Sequence, residues 1–268
     1  MIQIDEQLTR NYIRTFLGYG TLESKVWLIG PEQGGGKRAS EFRDRVTAWA
    51  NRGQKEIEDL HSYHSAINLD WTGSIQSTWG PLIRIMLASD GKLAPQNSPS
   101  PISSEFERKQ VLAFQRDCFG KNPGGDSCIL DLIPIASPST KDWGAKNSDH
   151  EWLDTRAKYE QAFLHERTEL IQAKIKQYKP QLVVFFGLGR KPEWQKMLDV
   201  LGADAFEPSE HPRLSCANSD HTFFALIPHP EGLRPKGKGA KNRCLAEIGR
   251  ELGRTTHKLG FMLGAPRC

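Results

Sequence analysis

The sequence predicts an α/β fold in which a mostly parallel four-stranded sheet lies between two layers of helices, residues 1–268 forming one domain. Three observations carry this. Four short apolar runs, residues 26–29, 128–134, 182–187 and 222–227, are rich in residues that suit buried parallel strands. Longer stretches of helical composition separate them, in the helix-then-strand order of parallel crossovers. The chain has neither an internal repeat nor a composition break that would mark a linker.

Residues 5–17 place Leu8, Tyr12, Ile13, Phe16 and Leu17 at near-helical spacing, with Gly18 and Gly20 as a stop, which predicts an amphipathic helix. Val26, Trp27, Leu28 and Ile29 form the first strand, which breaks at Gly30 into Pro31, Glu32, Gln33 and three glycines. Gly30 has no Cβ, so the chain there can approach a ligand closely. Residues 38–51 and 54–60 are helical by composition, and 61–80 is a polar stretch holding Tyr63, Trp71 and Trp79 ahead of a helix over 81–88. Three prolines make 92–104 a surface loop, a helix covers 105–118, and Lys121 to Gly125 force a turn. Asp131 interrupts the second strand, which Pro134 ends. Residues 152–179 form the longest helix, closed by Pro180, and 182–187 the clearest buried strand. A helix over 192–201, a polar connection over 211–220 and the fourth strand follow. His229, between Pro228 and Pro230, ends that strand, and a basic segment over 236–243 leads into the last helix, about 245–259.

Composition excludes several classes. Hydrophobic residues make up 38% and mean hydropathy is -0.54, with no apolar run of the roughly 18 residues that a membrane span requires. Residues 1–10 lack the basic-then-apolar order of a signal peptide, so the expected compartment is the cytoplasm. The five cysteines are scattered, with no C-x-x-C pair, and are expected as reduced thiols. A formal charge of +4 is compatible with nucleic acid without demanding it. His61 and His64 lack an evident third ligand for a metal and read as a solvated helix face.

The carboxyl ends of parallel strands converge, and three of these strands end in unusual loops: one with Glu32, one near Asp131, one with His229. A carboxylate, a second polar reader and a histidine therefore meet around one crevice. Each also has a plainer reading. Glu32 could form a turn, Asp131 could cap a turn or pair with a buried arginine, His229 could be a structural hydrogen-bonder, and Trp79 could belong to the core. The glycines before Lys37 miss the phosphate-loop pattern, because Pro31 stands where its first glycine belongs and Arg38 where its Ser or Thr belongs.

Gly30 to Gly34 after a strand, paired with His229, Pro230 and Leu233 after the last strand, resembles the motifs of the uracil-DNA glycosylase superfamily. The resemblance spans most of the chain on short motifs, with Gln33 where the family has proline and Glu231 where it has a small residue. It implies a uracil-DNA-glycosylase-like fold, a DNA partner, a monomer, and base flipping followed by hydrolysis of the base–deoxyribose bond, with no metal or cofactor. Carried over to this chain, Glu32 activates water, His229 stabilises the departing base, and Gly30, Gln33 and Asp131 surround that base. Trp79 is the candidate to stack on the base, with Tyr63 and Trp71 behind it, and Leu233 to fill the gap it leaves. Arg234, Lys236, Lys238, Lys241 and Arg243 would hold phosphates. The family reads uracil with an asparagine near the end of an inner strand, where Leu130-Asp131 stands in this chain. An ionised carboxylate only accepts hydrogen bonds, so Asp131 favours a cytosine-type base, whose amino group donates. Bulky cytosine modifications of the kind carried by viral DNA would need a roomier pocket, which residues 61–80 could build, and would place the protein in antiviral defence. Two other outcomes stay open: a non-catalytic binder of damaged or modified DNA, and a repair enzyme for plain uracil.

Overall fold

The computed structural model describes residues 5–36, 38, 40–69, 73–93, 104–125, 127–139, 141–146, 148, 150–233 and 239–258. Its strands are β1 (Gly18–Gly20), β2 (Val26–Gly34), β3 (Ile57–Glu58), β4 (Cys128–Ser137), β5 (Leu182–Phe186), β6 (Glu207–Pro208), β7 (Ser215–Asn218) and β8 (Phe223–Ile227). They form one sheet in the order β3-β1-β4-β2-β5-β8-β7-β6. The fold is α/β, but the expected four-stranded sheet is corrected to an eight-stranded mixed one. The four expected strands lie at its centre, β4-β2-β5-β8, and pair in parallel. The added strands flank them, β1 antiparallel to β4 and β7 antiparallel to β8. Gly-Tyr-Gly in β1, buried but only three residues long, and Ser-Cys-Ala-Asn in β7, partly open to solvent, both lack the apolar run that announces an inner strand.

The helices are α1 (Glu6–Thr15), α2 (Glu41–Asn51), α3 (Leu60–Ala66), α4 (Trp79–Ser89), α5 (Ser104–Asp117), α6 (Arg156–Tyr178), α7 (Lys191–Leu201) and α8 (Ala240–Lys258). Local chemistry sets their ends. Asp5 caps α1 by accepting from the Leu8 N–H, and Thr155 caps α6 by accepting from the Lys158 N–H. The helix expected over 54–60 is corrected to β3 followed by the cap of α3. The Asp59 carboxylate accepts from the Ser62 N–H at 2.8 Å and the Asn122 N–H at 3.0 Å, and so starts α3.

Alternation along the strands splits the core in two. Leu28, Ile129, Ile133, Val184, Phe186, Ala225 and Ile227 face a core shared with α1, α2, α4 and α8. Trp27, Ile29, Leu130, Val183, Phe185 and Phe224 face one shared with α7 and the second half of α6. On the first face, α4 and α8 run side by side in the same direction. A Cβ on Gly249 would stand 2.4 Å from the Ile85 carbonyl oxygen, and one on Gly253 2.3 Å from that of Ser89. This direction brings the starts of both helices to the carboxyl edge of the sheet, where β8 delivers the chain toward α8. Among the described residues no helix is long and apolar enough to cross a membrane. Cys128, Cys216 and Cys244 are free thiols, but Cys118 is disulfide-bonded, which corrects the expectation that all five cysteines are reduced.

One fully buried guanidinium ties these parts together. Arg167 of α6 donates to the carbonyls of Ile13 (2.8 Å) and Phe16 (2.9 Å) at the end of α1. It also donates to those of Asp131 (2.8 Å) and Leu132 (3.1 Å) in β4. Those bonds replace the water lost on burial and fix α1 to β4. Arg167→Leu, which strands four carbonyls, is expected to cost about 3–5 kcal/mol, lowering Tm by on the order of 10 °C in a circular-dichroism melt. An unchanged Tm would show that the carbonyls find other donors.

Candidate functional site

Gly30 and Asp131 are register partners in the central parallel pair. A Cβ at Gly30 would lie 2.4 Å from the Phe186 ring and 3.1 Å from an Asp131 carboxylate oxygen. Gly30 thus makes room for these two side chains, and it is a strand residue, which corrects the expected turn that admits a ligand. Phe186 ends β5, and its ring centroid lies 5.6 Å from that of His229. Asp131, inside β4, thus lies near Phe186 at the Gly30 gap, Phe186 in turn faces His229 just past the end of β8, and Glu32 follows two residues after Gly30.

Asp131 is 8% exposed, and among the described residues no donor reaches its carboxyl. Burial raises its pKa from 3.8 to about 7, against the pull of the Arg167 and Arg45 charges. Near neutral pH the group is thus present both as an acceptor-only carboxylate and as an acid with one donor and one acceptor. The alternative that Asp131 pairs with a buried arginine is not what is found. Arg167 binds its main-chain oxygen, not its carboxyl.

Glu32 is held differently. Arg156, at the start of α6, grips both carboxylate oxygens, Nη2 bonding Oε1 at 3.1 Å and Nη1 pairing with Oε2. The same guanidinium donates to the carbonyls of Ser139 (3.2 Å) and Asp142 (3.0 Å) and lies 5.0 Å from the Trp143 ring centroid. Glu32 is largely buried in this bidentate pair.

The glycines after Glu32 are not open space for a ligand, apart from Gly34, which has nothing within 4 Å of its Cβ position. Gly35 (φ +126°) lies against the buried Glu41–Arg45 ion pair, whose shortest contact is 2.8 Å, and a Cβ there would stand 2.4 Å from Glu41. Gly36 gives its N–H to the Glu41 carboxylate. Burial raises the pKa of Glu41, but Arg45 and the Gly36 N–H together hold it below its ordinary value. Gln33 points inward as well: its Nε2 donates to the Tyr19 hydroxyl at 2.7 Å, which also accepts from Arg45 at 3.2 Å. Its Oε1 is buried without a partner. The amide is engaged with Tyr19, which corrects its placement against a base.

His229 accepts from the Glu231 N–H at Nδ1 (3.3 Å), so the proton of its neutral ring sits on Nε2. Burial lowers its pKa, aided by the Lys241 charge and opposed by Glu231, which keeps the ring neutral at pH 7. Lys241 lies in the first turn of α8, half-buried. Leu233 is 1% exposed and packs in the core, which overturns its placement as an apolar wedge. Trp79, the first residue of α4, is half-buried, edge-on to His64 at 5.6 Å. Ser77 bonds Glu231, linking the start of α4 to the His229 loop. Tyr63 is fully buried with its hydroxyl on the Arg45 carbonyl at 2.8 Å, so it cannot stack on a base. His64 is buried, not on a solvated face, and burial drives its pKa to about 3. Trp71, Arg234, Lys236 and Lys238 lie outside the described residues.

Phe186 and Arg156 escaped the sequence reading. Phe186 reads as one more apolar residue of a buried strand, although its place before Gly187 marks it as the last one. Nothing in the sequence links Arg156 to a carboxylate 124 residues away. An open cavity of about 800 Å³ lies at the opposite ends of α4 and α8, lined by Ser89, His211, Arg250 and His257 among others, away from these residues. No protein-family model matches the chain, and no curated protein matches it in sequence.

Because the folded chain raises the Asp131 pKa, the unfolded chain ionises first. The contribution of Asp131 to stability is expected to fall as pH rises from about 4 to about 7, by on the order of 4 kcal/mol for a shift of about three units. Asp131→Asn removes this loss. It is expected to raise Tm at pH 8 and leave it nearly unchanged at pH 4, and a Tm difference independent of pH would refute the assignment.

Proposed function

We propose that this protein is a DNA glycosylase with a uracil-DNA-glycosylase-like fold whose parallel centre is β4-β2-β5-β8. It flips a nucleotide out of DNA and hydrolyses the base–deoxyribose bond, leaving an abasic site, with a cytosine-type or modified cytosine base as its substrate. The observation that carries this reading is the nine-tenths-buried carboxyl of Asp131, without a hydrogen-bond partner among the described residues, near a Phe186 ring that itself faces His229. An aromatic ring, a group with donor and acceptor capacity and a neutral imidazole are what a flipped base needs around it. The motif resemblance points the same way.

In the reaction a water oxygen bonds to C1′ while the C1′–N bond breaks, its electron pair leaving on the base and the water's proton passing to solvent or to the base. Positive charge grows on the sugar, which the carboxylate of Glu32 can face while orienting the water. The Nε2–H of His229 can donate to the base carbonyl as negative charge collects there. The neutral carboxyl of Asp131 accepts from the cytosine amino group and donates to N3, closing two hydrogen bonds, whereas the ionised form sets a second oxygen against the N3 lone pair.

The Arg156–Glu32 pair favours a second reading, a non-catalytic binder, because a bidentate guanidinium occupies the carboxylate that would handle water. Mass spectrometry of bases released from duplexes bearing uracil, cytosine, hydroxymethylcytosine and glucosylated cytosine separates the two. The glycosylase reading expects release, reduced about 10²-fold or more in Glu32→Gln or His229→Ala with DNA binding retained. Binding with no release from any of them would favour the binder. Release of a cytosine-type base is further expected to fall as pH rises through about 7, where Asp131 ionises, and this decline should vanish in Asp131→Asn.

A further inference from the structure

With Leu233 buried, another apolar side chain must serve if DNA is opened at this edge. Among the described residues, three large apolar side chains are exposed: Phe106, Leu188 and Val200. Phe106 and Val200 sit within helices α5 and α7. Leu188, 52% exposed, follows β5 at the carboxyl edge, two residues after Phe186. In the strand order β2-β5-β8 its loop stands between the strand that carries Glu32 and the one that leads to His229.

The base of this loop is anchored on every side. Gly187, at φ +100°, lies against Pro31 of β2, and its N–H donates to the Ile227 carbonyl of β8 at 3.0 Å. Its carbonyl accepts from Trp194 Nε1 and from the Arg190 N–H, each at 3.2 Å. Arg190 is neutralised by Glu160 and Glu193, so its charge does not compete with the exposed Leu188 tip, and Lys191 just beyond is exposed. A Cβ at Gly189 would meet nothing within 4 Å, which leaves space beside that tip.

We propose that Leu188 is the wedge that enters the duplex and fills the space vacated by the flipped nucleotide. Unstacking a base costs a few kcal/mol, and an apolar side chain held in advance on a rigid loop offsets part of that cost. The proposal rests on the base-flipping reading above. Leu188→Ala tests it on a duplex carrying hydroxymethylcytosine or uracil opposite guanine, with the fluorescent analogue aminopurine as the neighbouring base. Wild-type protein is expected to brighten aminopurine as the stack opens. Leu188→Ala should lose most of that signal and release base from duplex about ten-fold more slowly, yet act on single-stranded DNA within about two-fold of wild type. Equal brightening and equal duplex rates for the two proteins would overturn the wedge while leaving the glycosylase reading intact. Wild-type protein that neither brightens aminopurine nor releases base from any substrate would overturn both.

Discussion

The structure depends on a positive charge kept out of water. Arg167 enters from α6 and satisfies itself on four main-chain carbonyls, two at the end of α1 and two in β4. Carbonyl dipoles can compensate a buried guanidinium only where several converge, so the position of α1 against the sheet is coupled to the position of β4. The same side chain sets the field felt by Asp131. Its charge moderates the effect of burial, and the balance leaves the carboxyl pKa raised, to about 7. A residue that looks purely architectural thereby tunes the most unusual titratable group of the site.

The two carboxylates of the site divide along the same physical line. Glu32 is held by a bidentate guanidinium, whereas the Asp131 carboxyl has no hydrogen-bond partner among the described residues and burial raises its pKa. Environments that separate two acids in this way are how a fold assigns them different work. The glycines between them and α2 serve the scaffold, since Gly35 and Gly36 close over the Glu41–Arg45 pair.

Much of the fold was legible in the sequence. The four inner strands announced themselves because both of their faces are buried, which forces continuous apolar runs, and Asp131 stood out as the one charge inside such a run. The flanking strands were missed because Gly18–Gly20, though buried, is only three residues and two of them glycine, and Ser215–Asn218 is partly exposed, so neither forms an apolar run. Within the site, Glu32, Asp131 and His229 were readable from local pattern, as polar residues inside or just after apolar runs. What each one touches was not. The burial of Leu233, the inward turn of Gln33 and the Arg156 grip on Glu32 arise from segments far apart in the chain, and a single sequence holds no record of such pairings.

The outermost strands have a consequence for association. At one margin the sheet stops at Ile57–Glu58 and at the other at Glu207–Pro208, two residues each. A foreign strand laid along either margin would find a ladder too short to hold it, and at Pro208 no N–H to offer. Among the described residues the two margins therefore offer little to a strand added from outside.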